Sequence, residues 1–148
     1  MKPPATVMQL FERAGWTSGR SVEVDVGALA DLPHNPHAFA ALCAYGGLRV
    51  GVSGAGRDCA ASDIEFFTAP SKWDVELAAK WRDLTGALTP IASAHNQHMQ
   101  VFLDQQGRCY VHTNPDGKLY FVAETFSEAA ELLLLGHAWG RVVEALVS

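Results

Sequence analysis

The chain has little in it from which a reaction could be read. Its 148 residues hold three cysteines, Cys43, Cys59 and Cys109, an odd number at wide spacings, which excludes a disulfide framework and fits reduced thiols. Basic residues are in the minority, 11 against 16 acidic ones, for a net charge of -5. The basic footprint of a direct nucleic-acid binder is therefore missing, and any charged partner is expected to be basic. Long apolar runs are also absent. The leucine run Leu132 to Leu135 falls far short of the ~20 residues that cross a bilayer. The opening Met1-Lys2-Pro3-Pro4 leads into a segment with Gln9, Glu12 and Arg13, without the apolar stretch of a secretory signal. These absences predict a soluble, cytoplasmic protein with no membrane partner.

Catalytic signatures fail one by one. Gly51-Val52-Ser53-Gly54-Ala55 lacks the second glycine of a nucleophile elbow, and no helical pattern follows the serine. Gly51, Gly54 and Gly56 do not have the dinucleotide-binding spacing and read as turn glycines. His95, His98 and His112, with Cys109 nearby, supply metal-ligand chemistry, but their spacing matches no zinc pattern. His34 and His37 flank a helix start and are expected to face solvent. Asp58, Asp63 and Glu65 cluster in a hairpin, where carboxylates ordinarily serve as solvated edge charges rather than as an acid and base pair. Their better use is contact with a basic partner.

What is present is the material of one folded domain spanning residues 1–148. Hydrophobic residues make up 49% and charged residues 18%, the balance of a chain with a core. Val7, Leu10, Phe11 and Ala14 recur at helical spacing and predict a helix that stops at Gly15, with Trp16 folded back over its end. The alternation of Val22, Val24 and Val26 predicts an extended, half-buried segment. Asn35-Pro36 opens a second helix with a buried stripe of Phe39, Leu42 and Cys43, ended by Gly46-Gly47. Strands are predicted at Leu48 to Val52 and Ile64 to Phe67, joined through Gly54, Gly56, Arg57 and Asp58.

A third helix is predicted from Ser71, which forms a capping box with Asp74; its stripe is Trp73, Leu77, Trp81 and Leu84, and Glu76 pairs with Lys80 on its wet face. The runs Leu88 to Ala94, Met99 to Asp104, Cys109 to Thr113 and Lys118 to Ala123 then form a meander. Their turns are Gln105-Gln106-Gly107 and Asn114-Pro115-Asp116-Gly117. Thr125 or Ser127 caps a closing helix through Glu128, Ala129, Leu132 and Leu133. The sum is an α+β fold with helices packed on one largely antiparallel sheet of about six strands.

Several pieces recur together in order and spacing: Gly15-Trp16, Gly19-Arg20, Gly46-Gly47-Leu48, Pro90-Ile91, Asp104 with Gly107-Arg108 and Tyr110, and Glu128-Ala129 with Leu132-Leu133 and Gly136. Across nearly the whole chain they resemble the SUKH superfamily, and within it the SUKH-3 group. The resemblance implies an immunity protein of a bacterial polymorphic toxin system, which binds a toxin made by the same cell and blocks it. It implies no enzyme and no cofactor, and it explains the motif residues as parts of the fold.

Many toxins of such systems are nucleases or other nucleic-acid-modifying enzymes, whose basic clefts an acidic surface matches. The expected mechanism is stoichiometric association over the toxin's active site, with Asp58, Asp63 and Glu65 as contact residues. The alternatives are a regulatory or scaffolding adaptor of the same superfamily and a small metal-dependent enzyme using His95, His98 and His112. After Gly136 the sequence departs from the pattern. There His137, Trp139 and Arg141 run into an apolar tail, Val142 to Val147, which either packs on the sheet or supports self-association as a homodimer.

Overall fold

A computed structural model describes residues 1–114 and 116–143. The first helix, α1, runs Met8–Ala14 behind a single 3-10 turn at Ala5–Val7. It stops where expected: Gly15 takes φ 114° and its N–H turns back to the Glu12 carbonyl, a left-handed cap that a side chain would strain. Trp16 closes the helix end and is buried. The valine-alternating segment is extended but joins no strand. The Val22 N–H donates to the Cys43 carbonyl at 2.8 Å, Val24 is buried, and Val26 is 66% exposed at the start of a 3-10 turn, Val26–Leu29.

Helix α2, Pro36–Tyr45, is capped by Asn35, whose side chain accepts from the Ala38 N–H at 3.0 Å. Its inward face is Ala38, Ala41, Leu42 and Tyr45, while Phe39 is 38% exposed and Cys43 only partly buried. The expected stripe is thus one step out of phase. The small alanines bring the helix close to the sheet, and Tyr45 joins Phe11, Phe66 and Phe126 in an aromatic cluster with ring centroids 4.8, 5.1 and 6.2 Å from its own. Arg20 donates to the carbonyls of Ala44 and Gly46 at 2.8 and 2.9 Å. It thereby satisfies acceptors that the end of the helix leaves free, a structural use for the Gly19-Arg20 pair.

The sheet has seven strands where about six were expected: β1 Arg49–Val50, β2 Ile64–Phe66, β3 Thr89–Ala94, β4 Met99–Leu103, β5 Cys109–Thr113, β6 Leu119–Ala123 and β7 Arg141–Val142. They lie in chain order and every pairing is antiparallel. The additional strand, β7, comes from the segment after Gly136. Val142 is half-exposed there, and the Val143 N–H donates to the Leu119 carbonyl at 2.9 Å. The rest of the expected apolar tail, 144–147, lies outside the described residues, as does Pro115 of the β5–β6 turn. That α+β expectation otherwise holds, with five helices on one antiparallel sheet.

The two faces of the sheet are covered differently. On the inner face, α1, α2 and α5 (Phe126–Leu135, capped by Thr125) bury the main core against Val50, Ile64, Phe66, Ile91, Val101, Cys109 and Val111. On the outer face, α3 (Lys72–Ala79) and the short α4 (Arg82–Thr85) cover a smaller cluster, in which Leu77, Ala78 and Trp81 meet Phe102, Tyr110 and Leu119. Ser71 and Asp74 form the expected capping box. Two residues of the expected stripe, however, leave the core: Trp73 is 53% and Leu84 45% exposed. The box turns Asp74 inward, so the buried face is 74, 77, 78 and 81. Trp73 lies ~100° away from it. Glu76 pairs with Lys72, 3.9 Å away and one turn earlier, instead of Lys80.

Candidate partner-binding groove

Cross-strand partners share a sheet face, and the register lines up Arg49, Glu65, Ser93, Gln100 and His112 on the outer one. The row is covered unevenly: Gln100 and His112 are buried, Glu65 and Ser93 are half-buried and Arg49 is exposed. Between the row and the first turn of α3 lies a concavity of about 410 Å³ lined by Glu65, Trp73, Ser93, Gln97, Gln100 and Asn114, among others. Its floor is fixed. Gln100 is buried, its Oε1 lies 2.7 Å from His112 Nδ1, and its amide donates to the Gln97 carbonyl at 3.4 Å. His112 packs against Trp81 with ring centroids 5.5 Å apart and the planes tilted by 49°, and burial, with the nearby Lys80 charge second, pushes its pKa down. A neutral imidazole that donates from Nδ1 to the amide oxygen fits this site.

The wall beside Gln97 is an unusual turn. His95, Asn96 and Gln97 have φ of 53°, 52° and 70°, three consecutive non-glycine residues in left-handed space, each costing roughly 1 kcal/mol. Asp63 holds them there. Its carboxylate accepts from the Asn96 N–H at 2.7 Å and the Ser53 hydroxyl at 2.8 Å, its carbonyl accepts from the His95 N–H at 3.0 Å, and Arg49 stands 3.6 Å away. Burial alone would raise this carboxyl's pKa. The Asn96 and Ser53 hydrogen bonds and the Arg49 charge outweigh it and hold the pKa below the ordinary carboxylate value.

The three carboxylates expected as one contact patch are thus dispersed. Asp63 is 1% exposed, and with its oxygens spent on the turn it offers no carboxylate to a partner. Asp58 sits in the β1–β2 loop and pins the chain after α5. It accepts from the Ala138 N–H at 2.9 Å and lies 3.5 Å from His137, contacts that lower its pKa. Glu65 alone faces the groove.

The candidate metal ligands are dispersed as well. His112 is on the outer face, Cys109 is in the main core on the inner one, and His98 is exposed on the β3–β4 turn. His95 faces Ser62, 3.3 Å away. Among the described residues no three His, Cys, Asp or Glu side chains come together in a way that could hold a metal ion. Ser53 serves Asp63 from within a loop, away from any helix start. His34 and His37 are exposed, as expected.

Gln97, Gln100 and Asn114 were not singled out by sequence, which placed Trp73 in the buried stripe of the third helix. Trp73 had a signal, since a capping box that turns Asp74 inward also turns its neighbour out. The amides had none, because residues 65 to 114 meet only through the strand register. Asp104, prominent in the sequence pattern, works as a turn anchor. It is fully buried and accepts from the Gln106 and Arg108 N–H groups, both at 2.9 Å, and from Arg108 Nε at 2.6 Å.

An open antiparallel meander, packed by three helices on one face and by α3 over part of the other, with a polar groove beside α3, defines an α+β domain. The sequence model of the SUKH-3 immunity protein family matches residues 3–136, and the chain belongs to that family. No curated protein matches the chain, and no solved structure does. No helix among the described residues is long and apolar enough to cross a membrane.

Proposed function

We propose that this protein neutralises a cognate toxin by direct, stoichiometric binding, acting in the cytoplasm as one domain over residues 1–148. The observation that carries the reading is the family match across residues 3–136. The toxin is a basic nuclease, or another nucleic-acid-targeting enzyme of a polymorphic toxin system, a choice supported by the net charge of -5. An acidic inhibitor and a basic cleft attract each other before contact, so association is fast and slows as salt is added. Of the three carboxylates first considered, Glu65 is assigned to the interface, and Asp58 and Asp63 shape the surface around it.

The test is to read the genes beside this one for an encoded toxin and to co-express the chain with it. Growth rescue, together with a 1:1 complex on purification and loss of the toxin's nucleic-acid cleavage at one equivalent, is the expected result. Continued toxicity with no complex would overturn it. A single cooperative unfolding transition checks the one-domain assignment.

A further inference from the structure

The outer-face groove holds a charge without a partner. Glu65 is half-buried on β2, and its cross-strand neighbour Arg49 is committed elsewhere, with Nε 3.6 Å from Asp63 and a terminal nitrogen donating to Asn96 at 3.3 Å. Among the described residues, neither the Glu65 carboxylate nor the side-chain amides of Gln97 and Asn114 make a hydrogen bond within the chain. Across the concavity stands Trp73, 53% exposed at the first turn of α3. A partly desolvated carboxylate without a counter-charge is unfavourable by itself, and an exposed indole face beside it attracts cations.

We propose that this groove receives an arginine side chain of the partner protein, its guanidinium stacked on Trp73 and paired with Glu65. The partner's identity as a toxin rests on the immunity reading above. Three features select arginine over lysine. A planar guanidinium stacks on an aromatic face, and its fork of N–H groups reaches several acceptors in one plane, here the Glu65 carboxylate and the carbonyl oxygens of Gln97 and Asn114. It is also more weakly hydrated than an ammonium and so enters a half-closed site at lower cost. Phe67, at the same concavity, offers apolar surface to the aliphatic stem. The floor is preformed, because Gln100 is held by His112 and Gln97, and the wall is preformed, because Asp63 locks the left-handed turn.

The full chain, labelled with ¹⁵N, is titrated with N-acetyl-arginine amide and, separately, with the lysine and citrulline analogues. Citrulline keeps the shape and loses the charge. Expected is a saturable shift of the Trp73 indole N–H and the Glu65 amide with arginine amide, about fivefold weaker or more with lysine and citrulline, and lost in E65Q and in W73A. Equal shifts from citrulline, no saturation at Trp73, or an unchanged response in E65Q would each overturn the proposal.

A second arm measures capture of the adjacent-gene toxin. The E65Q and W73A variants, whose folding is checked by thermal unfolding, should raise Kd about tenfold or more. Wild-type capture matched by both variants overturns the groove and leaves the immunity reading standing. Failure of the wild type to capture that toxin counts against the immunity reading, and the amino-acid titration then decides the groove by itself.

Discussion

The inner and outer faces of the sheet use the same strands for different ends. On the inner face, three helices close over aromatic and aliphatic side chains, and Phe11, Tyr45, Phe66 and Phe126 meet ring to ring. On the outer face, α3 and Trp81 cover a smaller cluster around Phe102, Tyr110 and Leu119 together with His112, and leave the Glu65 and Ser93 end of the polar row partly open. Alternation along a strand is what allows this division: Ile64 and Phe66 face inward, and Asp63 and Glu65 face outward. The larger core therefore lies on one side of the sheet and the groove proposed for recognition on the other, and substitutions should separate the two.

The sharpest break is Phe66→Ala, which empties the centre of the inner aromatic cluster and should cost about 3–5 kcal/mol in urea unfolding. Asp63→Asn comes next, at about 1.5–3 kcal/mol, because the hydrogen bonds from Asn96 and Ser53, both to Oδ1, lose their charge assistance and Arg49 loses its counter-charge. Its effect depends on pH. The folded carboxyl lies below the ~3.9 of an unfolded chain, so the stabilisation is fully present above about pH 4 and drains away as pH falls through the folded value. Urea midpoints between pH 6 and pH 3 should fall more steeply for the wild type than for the variant.

His112 gives a smaller effect in a different window. Its folded pKa lies below the ordinary ~6.5, so its contribution is intact above that value and is lost as pH falls through the lower folded one. An NMR titration of the ring should place its midpoint below ~6.5, and His112→Gln should flatten that part of the stability profile. Smallest of all, Trp73→Ala should shift unfolding by no more than about 0.5 kcal/mol, whereas Trp81→Ala, on the same face but under α3, should cost about 3 kcal/mol or more.

Much of the fold could be read from local chemistry. Asn35, Ser71 and Thr125 cap their helices, Gly15 ends α1, and the four long strands fall within a residue or two of the expected runs. Helix phase was harder, because Phe39 and Trp73 are exposed by what the neighbouring elements cover, which spacing alone does not encode. The left-handed turn at 95–97 carries no glycine to announce it. Of the groove, only Glu65 was legible. Its partners come from α3, a turn, β4 and the end of β5, and tertiary packing alone assembles them. Asp63 misled for a related reason, since a carboxylate next to a turn reads as solvated unless the backbone it holds is known.

The strand order β1 to β7 has a kinetic consequence. Every strand pairs with its neighbour in the chain, and β3 to β6 are joined by short turns, so the centre of the sheet can form by hairpin zippering while the longest loop closure falls to the elements at the two ends. Those elements are the turn at Ala5–Val7 and α5, which contact each other and both contribute to the main core. Closing so long a loop is slow relative to zippering a hairpin, which makes the seating of α5 against the N-terminal turn the late step in reaching the native state.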